Sequence, residues 1–278
     1  MGGNKLKTLR FEMRRMLNSP SMITAYLASL ILVFIDVFYQ LNLYTNGINH
    51  ISVFYKWIAV NSYTFGGTYL LMSIPLLSAF GYSYTVSTDI SSGYINQILT
   101  RTSRKRYFSA KLIAVFISGG IIFSAAIFID FLLLSLFSPT IIPVPGDLNS
   151  FMNPYSFASK LFYTQPYLFV VVCILSSFLW GGAMSAMAAT IGLFVHKKFI
   201  SLIFPFAVFM AQSIIGGYIM SKQLLLIKGQ LLELTWFDML STSLGTRNPT
   251  DWVYVNIIIA ACIPIIIYYI RGNKYECI

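Results

Sequence analysis

Two carboxylates lie inside long apolar runs of the sequence, where ionisable side chains are rare. Asp36 and Asp130 each stand near the end of such a run. A charge in hydrocarbon is costly, so residues of this kind often line a substrate path or a proton relay. Both also stand within about two turns of the end of their predicted helix, where a carboxylate reaches the interface or caps backbone groups. The sequence leaves both roles open, and it offers no further intramembrane carboxylates or histidines to extend a relay.

Motifs for catalysis, nucleotide binding or metal binding are absent from the sequence. It contains no G-x-x-x-x-G-K-[ST] loop to hold phosphates, no H-E-x-x-H and no G-x-S-x-G. The two histidines lie in different loops, and the three cysteines are scattered and form neither a metal-ligand spacing nor a disulfide framework. We therefore expect no enzyme activity, no catalytic residue and no cofactor in this chain.

The segment 84–109 combines residues that favour a helix start, an apolar stripe and a basic cluster. Asp89 and the two residues before it are good N-caps. Ile90, Tyr94 and Ile98 then follow at four-residue spacing, which predicts one face of a short helix from Asp89 to Leu99. The basic cluster comes next, at Arg101, Arg104, Lys105 and Arg106. Such a helix is suited to docking against a partner, although a basic cluster beside a membrane also fits plain orientation bias.

The composition of the chain is that of a membrane protein. Of its 278 residues, 57% are hydrophobic and 10% are charged, with a mean hydropathy of +0.72. Soluble domains carry about 25% charged residues. A soluble globule cannot bury so much apolar surface. The net charge of +10 arises from basic residues in short segments beside the apolar runs, so it predicts membrane orientation and no nucleic-acid binding.

Six apolar runs are long enough to cross a bilayer, which takes about 20 helical residues. They are Ser21–Leu41, Ala59–Ser83, Ala110–Phe137, Tyr167–Val195, Phe199–Met220 and Trp252–Ile270. The sequence therefore predicts an all-α, polytopic membrane protein with six transmembrane helices. Residues 1–278 form one transmembrane domain, with no room for a soluble catalytic one.

The basic residues predict the orientation of these spans. Fourteen Lys and Arg residues fall in the N-terminal segment, the 84–111 segment, the 196–198 turn and the C-terminal segment, against five in the alternate connections. Basic residues are enriched in cytoplasmic segments. We expect a multi-pass protein of the cytoplasmic membrane with both termini in the cytoplasm.

The first 20 residues predict a helix that lies on the membrane surface. Leu6, Leu9, Met13, Met16 and Leu17 fall on one arc of a helix, and the basic residues lie elsewhere. An apolar stripe beside a basic face suits an interfacial helix on the anionic inner leaflet. The alternative is an orientation signal without helical docking.

The segment 221–250 precedes the last span and is too apolar for a solvated loop. Lys228, Glu233 and Asp238 interrupt it too often for a span. A broken helical hairpin that dips into the outer leaflet fits both facts, with Gly229 or Gly245 at the turns. An amphipathic segment packed on the surface of the bundle is the alternative.

The order of several residues between the second and third spans resembles the cytoplasmic loop of ABC-2 type permeases. These residues are Asp89, Gly93, Leu99, Thr100, Arg101, Ser103, Arg104 and Lys111. The basic N-terminal helix, the six spans and the segment before the last span are also similar to that family, so the resemblance covers nearly the whole chain. The sequence has Asp where the family usually has Glu, and it lacks the Pro that often follows Leu-Thr-Arg.

The resemblance implies a fold of the ABC-2, type V exporter kind and a permease that couples to a separate ATPase. The implied coupling residues are Asp89, Ile90, Gly93, Tyr94, Ile98, Leu99, Arg101 and Arg104. Implied partners are two copies of an ABC ATPase, which bind ATP and Mg, a second permease that is identical or homologous, and membrane lipid. We expect export of an amphipathic peptide, drug or lipid. The alternatives are an ATP-independent channel, a proton-coupled carrier, or an anchor for an enzyme assembly.

Overall fold

The structure, a computed structural model, describes residues 3–43, 51–61, 64–147, 152, 154–222, 226–227, 230–239 and 249–274. Its helices are α1 Gly3–Leu17, α2 Pro20–Leu43, α3 Val53–Lys56, α4 Phe65–Tyr82, α5 Thr85–Ser91, α6 Tyr94–Leu99, α7 Arg104–Phe137, α8 Ser159–Thr164, α9 Pro166–Gly192, α10 Lys198–Ser221, α11 Trp236–Met239 and α12 Thr250–Asn273. Its strands are β1 Leu226–Ile227 and β2 Gln230–Leu231.

Six of these helical segments are long and apolar enough to cross a membrane, judged by length and composition. They are α2, α4 with α5, α7, α9, α10 and α12. Their outward faces are strongly apolar, as Phe38 on α2 and Ile214 on α10 show, each 72% exposed. Faces of this kind suit lipid as their surroundings. The chain is therefore a helical, multi-pass membrane protein, as the sequence predicts.

The second span begins later than the hydropathy pattern predicts. The apolar run starts at Ala59, but α4 starts at Phe65 because Thr64 caps it, its hydroxyl accepting from Gly67 N at 3.1 Å. Residues 53–61 form α3 and a turn, and they are bound to α2 through Gln40 and to α7 through Asp130. Backbone N–H groups at a helix start need such partners, so the cap residue fixes the boundary.

The segment 221–250 differs from the predicted helical hairpin where it is described. It contains a two-residue antiparallel pair, with Leu226 opposite Leu231, and then the single turn of α11. The side chain of Gln212 on α10 accepts from Trp236 N at 2.7 Å, and Trp252 on α12 donates to Glu233 O at 2.7 Å. The described part of this segment therefore contacts both α10 and α12. The predicted turns at Gly229 and Gly245 lie outside the described residues.

The centre of the bundle is the close packing of α7 against α9. A side chain at either Gly119 or Gly181 would collide with the other residue's carbonyl oxygen. Ser185 donates across the same contact to Val115 O at 2.8 Å. Small residues on α9 therefore allow two backbones to approach, as in other membrane helix pairs.

The four basic segments of the sequence lie together at one end of the bundle. Arg15 of α1 pairs with Asp89 of α5, and the guanidinium of Arg271 near the end of α12 lies 5.5 Å from the ring centre of Phe194, just before the 196–198 turn. We call this the basic end. The opposite end carries α3, α8 and the 138–147 connection. The described parts of the alternate connections lie at that end. The structure therefore separates the connections into the same two sets that were used to count the basic residues.

Candidate functional site

The basic end is built around α1, which packs on α7 and ends before Pro20 starts α2. Met16 is fully buried and Met13 half-buried on the packed face, whereas Leu17 is exposed. The predicted apolar arc is therefore only partly correct, and the side chain of Leu6 lies outside the described residues. Glu12, which is not part of the predicted apolar arc, is fully buried.

Asp89 is the centre of the contacts that hold α1 to the bundle. Arg15 donates two hydrogen bonds to it, from Nη2 to Oδ1 at 2.6 Å and from Nη1 to Oδ2 at 2.9 Å. Tyr107 and Lys111, both on α7, donate to Oδ2 at 2.8 Å each. The carboxylate thus joins α1, α5 and α7 through four donors. Bidentate, charge-assisted bonds of this kind are the strong ones in proteins.

Lys111 joins Asp89 to a second carboxylate. Its Nζ lies 3.3 Å from Glu12 Oε2, and Tyr82 of α4 donates to the same oxygen at 2.7 Å. The Nζ also lies 4.4 Å from the ring centre of Tyr82, a cation–π distance. Glu12 and Lys111 are fully buried. We call Glu12, Arg15, Tyr82, Asp89, Tyr107 and Lys111 the charge cluster.

The charge cluster is formally neutral, with two carboxylates and two cations. Burial disfavours the charged form of Arg15, but the hydrogen bonds and the charge of Asp89 outweigh it, so the pKa of Arg15 lies above its ordinary value. Removing one member of a buried ion pair typically costs about 3–5 kcal/mol, because the other charge stays buried without a partner. The cluster therefore makes the position of α1 depend on α5 and α7.

The predicted helix from Asp89 to Leu99 is divided in two. Gly93 has a φ of +71°, in the left-handed region, and it separates α5 from α6. No atom lies within 4 Å of where its side chain would be, so only the backbone conformation requires glycine there. The chain consequently turns between Ile90 and Tyr94, which do not continue one helical stripe.

The residues predicted to couple to an ATPase fall into two groups. Asp89 and Ile90 are buried within the chain itself, and Ile90 belongs to a core cluster that also contains Met16 and Tyr82. The second group is wholly or partly accessible. It consists of Gly93, Tyr94, Ile98, Leu99, Arg101 and Arg104, of which the two arginines are exposed. The guanidinium of Arg15 lies 4.8 Å from the ring centre of Tyr94, so this group is anchored to the charge cluster.

A groove of about 670 Å³ lies between α1 and α6, beside the charge cluster. Its lining includes Lys7, Phe11, Tyr94, Gln97, Ile98 and Arg101. Phe11 is 52% exposed although it is a large apolar side chain. Apolar side chains flanked by cations give this groove the character of a protein-binding surface.

A second candidate site lies near the opposite end, where Asp36 and Asp130 are both fully buried. Asp36 Oδ1 accepts from the Thr64 hydroxyl and, at 3.0 Å, from Gly67 N at the start of α4. Asp130 Oδ2 accepts from Ile58 N at 3.0 Å. Asp36 thus binds a backbone N–H in the first turn of α4, which is a capping contact, and Asp130 binds a backbone N–H of the segment between α3 and α4. Neither reaches a solvent-exposed interface.

Sequence reasoning missed Glu12, Tyr82 and Tyr107 in the charge cluster. One signal was available for Glu12, which is the one acidic residue among the first 17 and is flanked by basic ones. Tyr82 lies within an apolar run and Tyr107 just before one, and neither carries such a signal, because aromatic residues are common at these places.

No protein-family model matches the sequence, and no curated protein matches it. The resemblance to ABC-2 type permeases therefore rests on the residue order from Asp89 to Lys111 and on the arrangement of the spans.

Proposed function

We propose that the chain is the permease subunit of an ABC exporter of the ABC-2 type, driven by a separate ATPase. The observation that carries this proposal is the α5–α6 segment, which is fixed to α1 and α7 by the charge cluster and leaves α6 and Arg101 accessible beside a groove. A subunit with no nucleotide-binding motif needs a rigid element to receive mechanical work. The α5–α6 segment meets that need.

The proposal places the basic end in the cytoplasm. Basic residues favour the cytoplasmic side, and the four basic segments lie together in the structure. In this orientation the groove between α1 and α6 faces the compartment that holds ATP. The proposed assembly contains two permeases and two ATPases, the ATPases bind ATP and Mg, and the cargo is an amphipathic peptide, drug or lipid.

The first experiment is to purify the tagged chain from its native membranes and identify associated proteins by mass spectrometry. We expect an ATPase with a P-loop and an ABC signature.

The second experiment changes the groove with the pair Phe11→Ser and Arg101→Glu. A phenylalanine buried in an interface contributes about 1.5–3 kcal/mol, and about 1.4 kcal/mol is a tenfold change in affinity. Recovery of the ATPase should fall at least tenfold.

A matched control makes the same chemical changes at the opposite end. Phe137→Ser with Lys160→Glu alters two residues that are exposed like Phe11 and Arg101. The control should leave ATPase recovery unchanged. Ile90 is not a suitable test site because serine there would damage the chain's own core. Normal recovery of the ATPase with the groove variant, folded in the membrane, would contradict the proposed docking surface.

A proton-coupled carrier is the second candidate, and the buried pair of Asp36 and Asp130 is the observation that favours it. The two candidates differ in what the purified chain does alone. A carrier would move protons into proteoliposomes that enclose pyranine when a pH gradient is applied, and replacement of either carboxylate by Asn would stop it. The exporter permease alone should show no such flux.

A further inference from the structure

An apolar groove of about 470 Å³ lies between α9, α10 and α12, and we call it the lateral groove. In the described part of the chain, α10 and α12 each pack along α9 but touch each other little, which leaves this space between them. They are also the least buried of the six spans. The volume falls in the range of small-ligand sites, about 300–1,000 Å³. The lining includes Phe194, Phe204, Val208, Trp236, Ile263 and Ile267.

The polar groups of the lining are bonded within the protein. The hydroxyl of Thr190 lies 2.8 Å from Ala186 O and 2.9 Å from Pro264 O, within hydrogen-bond distance of both. The indole nitrogen of Trp236 donates to Asn256 Oδ1 at 3.4 Å. A stable water molecule needs two to four polar partners, which this surface does not offer. The lateral groove is therefore suited to hydrocarbon.

The lateral groove has the depth of one membrane leaflet. Its lining on α12 runs from Ile259 to Ile267, a length of about 12 Å at 1.5 Å per residue. Arg271 follows one turn later, about 18 Å from Ile259 along the same helix. One leaflet accounts for half of a hydrocarbon core of about 30 Å. The groove thus reaches from the middle of the membrane to the basic end.

Cations stand where the lateral groove meets the basic end. The guanidinium of Arg271 lies 5.5 Å from the ring centre of Phe194, which lines the groove. Lys197 and Lys198 follow Phe194 and begin α10, and all three cations are exposed. None of them takes part in the ion pairs of the described residues, where the two carboxylates of the charge cluster are paired with its own cations. This end of the groove is therefore positively charged.

We propose that the lateral groove binds an acyl chain of an anionic phospholipid from the leaflet at the basic end, with the lipid phosphate at Arg271. The apolar lining accepts the chain, and an arginine guanidinium matches the geometry of a phosphate. Basic residues at the membrane surface attract anionic lipids, which adds Lys197 and Lys198 to the site. The proposal is independent of the proposed ATPase.

The lining favours a lipid chain over a helix from a second copy of the protein. Contacts between membrane helices are enriched in small residues, which let two backbones approach. The lateral groove is lined mainly by large aromatic and branched side chains. The small residues Gly181 and Ser185 of α9 are already packed against α7. A thin, flexible chain is therefore the better occupant of this groove.

The test is native mass spectrometry of the purified full-length chain in detergent, titrated with phosphatidylglycerol or with phosphatidylcholine that carries the same acyl chains. We expect the wild type to bind phosphatidylglycerol at least tenfold more tightly. Arg271→Gln should weaken binding of phosphatidylglycerol at least tenfold and leave phosphatidylcholine unchanged. Arg14→Gln is the control, because it removes an exposed cation from α1 at the same end. It should change neither affinity.

A second pair of variants tests the position of the acyl chain. Ile263→Trp places a larger ring in the lateral groove and should weaken binding of both lipids at least tenfold. Ile266→Trp makes the same change outside the lining, at a residue that is 56% exposed against 55% for Ile263. It should leave both affinities unchanged. Ile259→Trp, one turn away in the lining, repeats the test if Ile263→Trp does not fold.

Other results overturn the proposal. Equal binding of the two lipids by the wild type, or unchanged binding in Arg271→Gln, shows that the phosphate is not recognised at Arg271. Unchanged binding in the groove variants, or an equal loss in Ile266→Trp, places the acyl chain elsewhere. Displacement of phosphatidylglycerol by inorganic phosphate shows that the site binds a soluble anion. A wild-type dimer that Ile263→Trp converts to monomers identifies a second copy as the occupant. The readouts require neither cargo nor ATPase, so a failed exporter proposal leaves them interpretable.

Discussion

Arg15 holds Asp89 with two nitrogens, at 2.6 and 2.9 Å, across 74 residues of sequence. The pair fastens the N-terminal helix to α5, the last part of the second span. The helix α6, with its accessible residues, starts at Tyr94, directly after the turn at Gly93. A displacement of α6 therefore acts on α1 and, through Lys111, on the central helix α7. This linkage joins three helices at the basic end, and the proposed coupling to an ATPase relies on it.

The first prediction concerns this pair. Arg15→Ala should lower the free energy of unfolding by about 2 kcal/mol, between the values for exposed and fully buried ion pairs, because the Arg15 side chain is 32% exposed whereas Asp89 is buried. Thermal unfolding in mild detergent measures the loss. Arg14→Ala removes the adjacent, exposed arginine and should change stability by less than about 0.5 kcal/mol. Equal effects of the two substitutions would show that the Arg15–Asp89 pair is not stabilising.

The second prediction concerns Lys111, which lies between two buried carboxylates. Lys111→Met keeps most of the side-chain volume but leaves Glu12 without its cation, so it should cost about 3–5 kcal/mol. Lys105→Met, at an exposed position of the same helix, is the control and should be nearly neutral. Both are compared by the same thermal unfolding measurement.

A compensating change separates charge from packing at Lys111. Adding Glu12→Gln to Lys111→Met removes one negative charge with the positive one and leaves Arg15 and Asp89 paired. The double variant should recover part of the lost stability. If it is no more stable than Lys111→Met, the loss comes from packing and the electrostatic account of the charge cluster is wrong.

The spans and the grouping of basic segments were predictable because they depend on local composition. An apolar run of about 20 residues indicates a membrane helix wherever it packs. The start of α4 was predicted too early, since hydropathy does not detect a cap such as Thr64. The orientation of the bundle in the membrane stays a prediction.

The contacts of the candidate sites were less predictable because they join distant parts of the chain. The spacing of Ile90, Tyr94 and Ile98 gives the same pattern for a docking face and for a face packed in the protein's own core. Ile90 belongs to the core, and Gly93 turns the chain before Tyr94. Asp36 and Asp130 were identified as unusual from the sequence, but their shared position needed the fold.

The third prediction tests the turn at Gly93. Gly93→Ala should cost about 1–2 kcal/mol, because an L-residue in the left-handed region is strained. Gly93→Asn should cost less, since asparagine tolerates this conformation better. Gly217→Ala is the control, at a helical position with free space around it, and should be neutral or slightly stabilising. A neutral Gly93→Ala would show that α5 and α6 do not need the left-handed turn.

The last prediction tests which end of the bundle faces the cytoplasm. Lys105 at the basic end and Lys160 on α8 are both exposed, so a cysteine at either position is accessible from its own side. The background replaces Cys173, Cys262 and Cys277, which removes native thiols. In intact cells an impermeant maleimide should label position 160 and spare position 105, and permeabilised cells should label both. Labelling of position 105 but not 160 in intact cells would place the groove outside the cell, away from ATP, and the exporter assignment would fail with the topology.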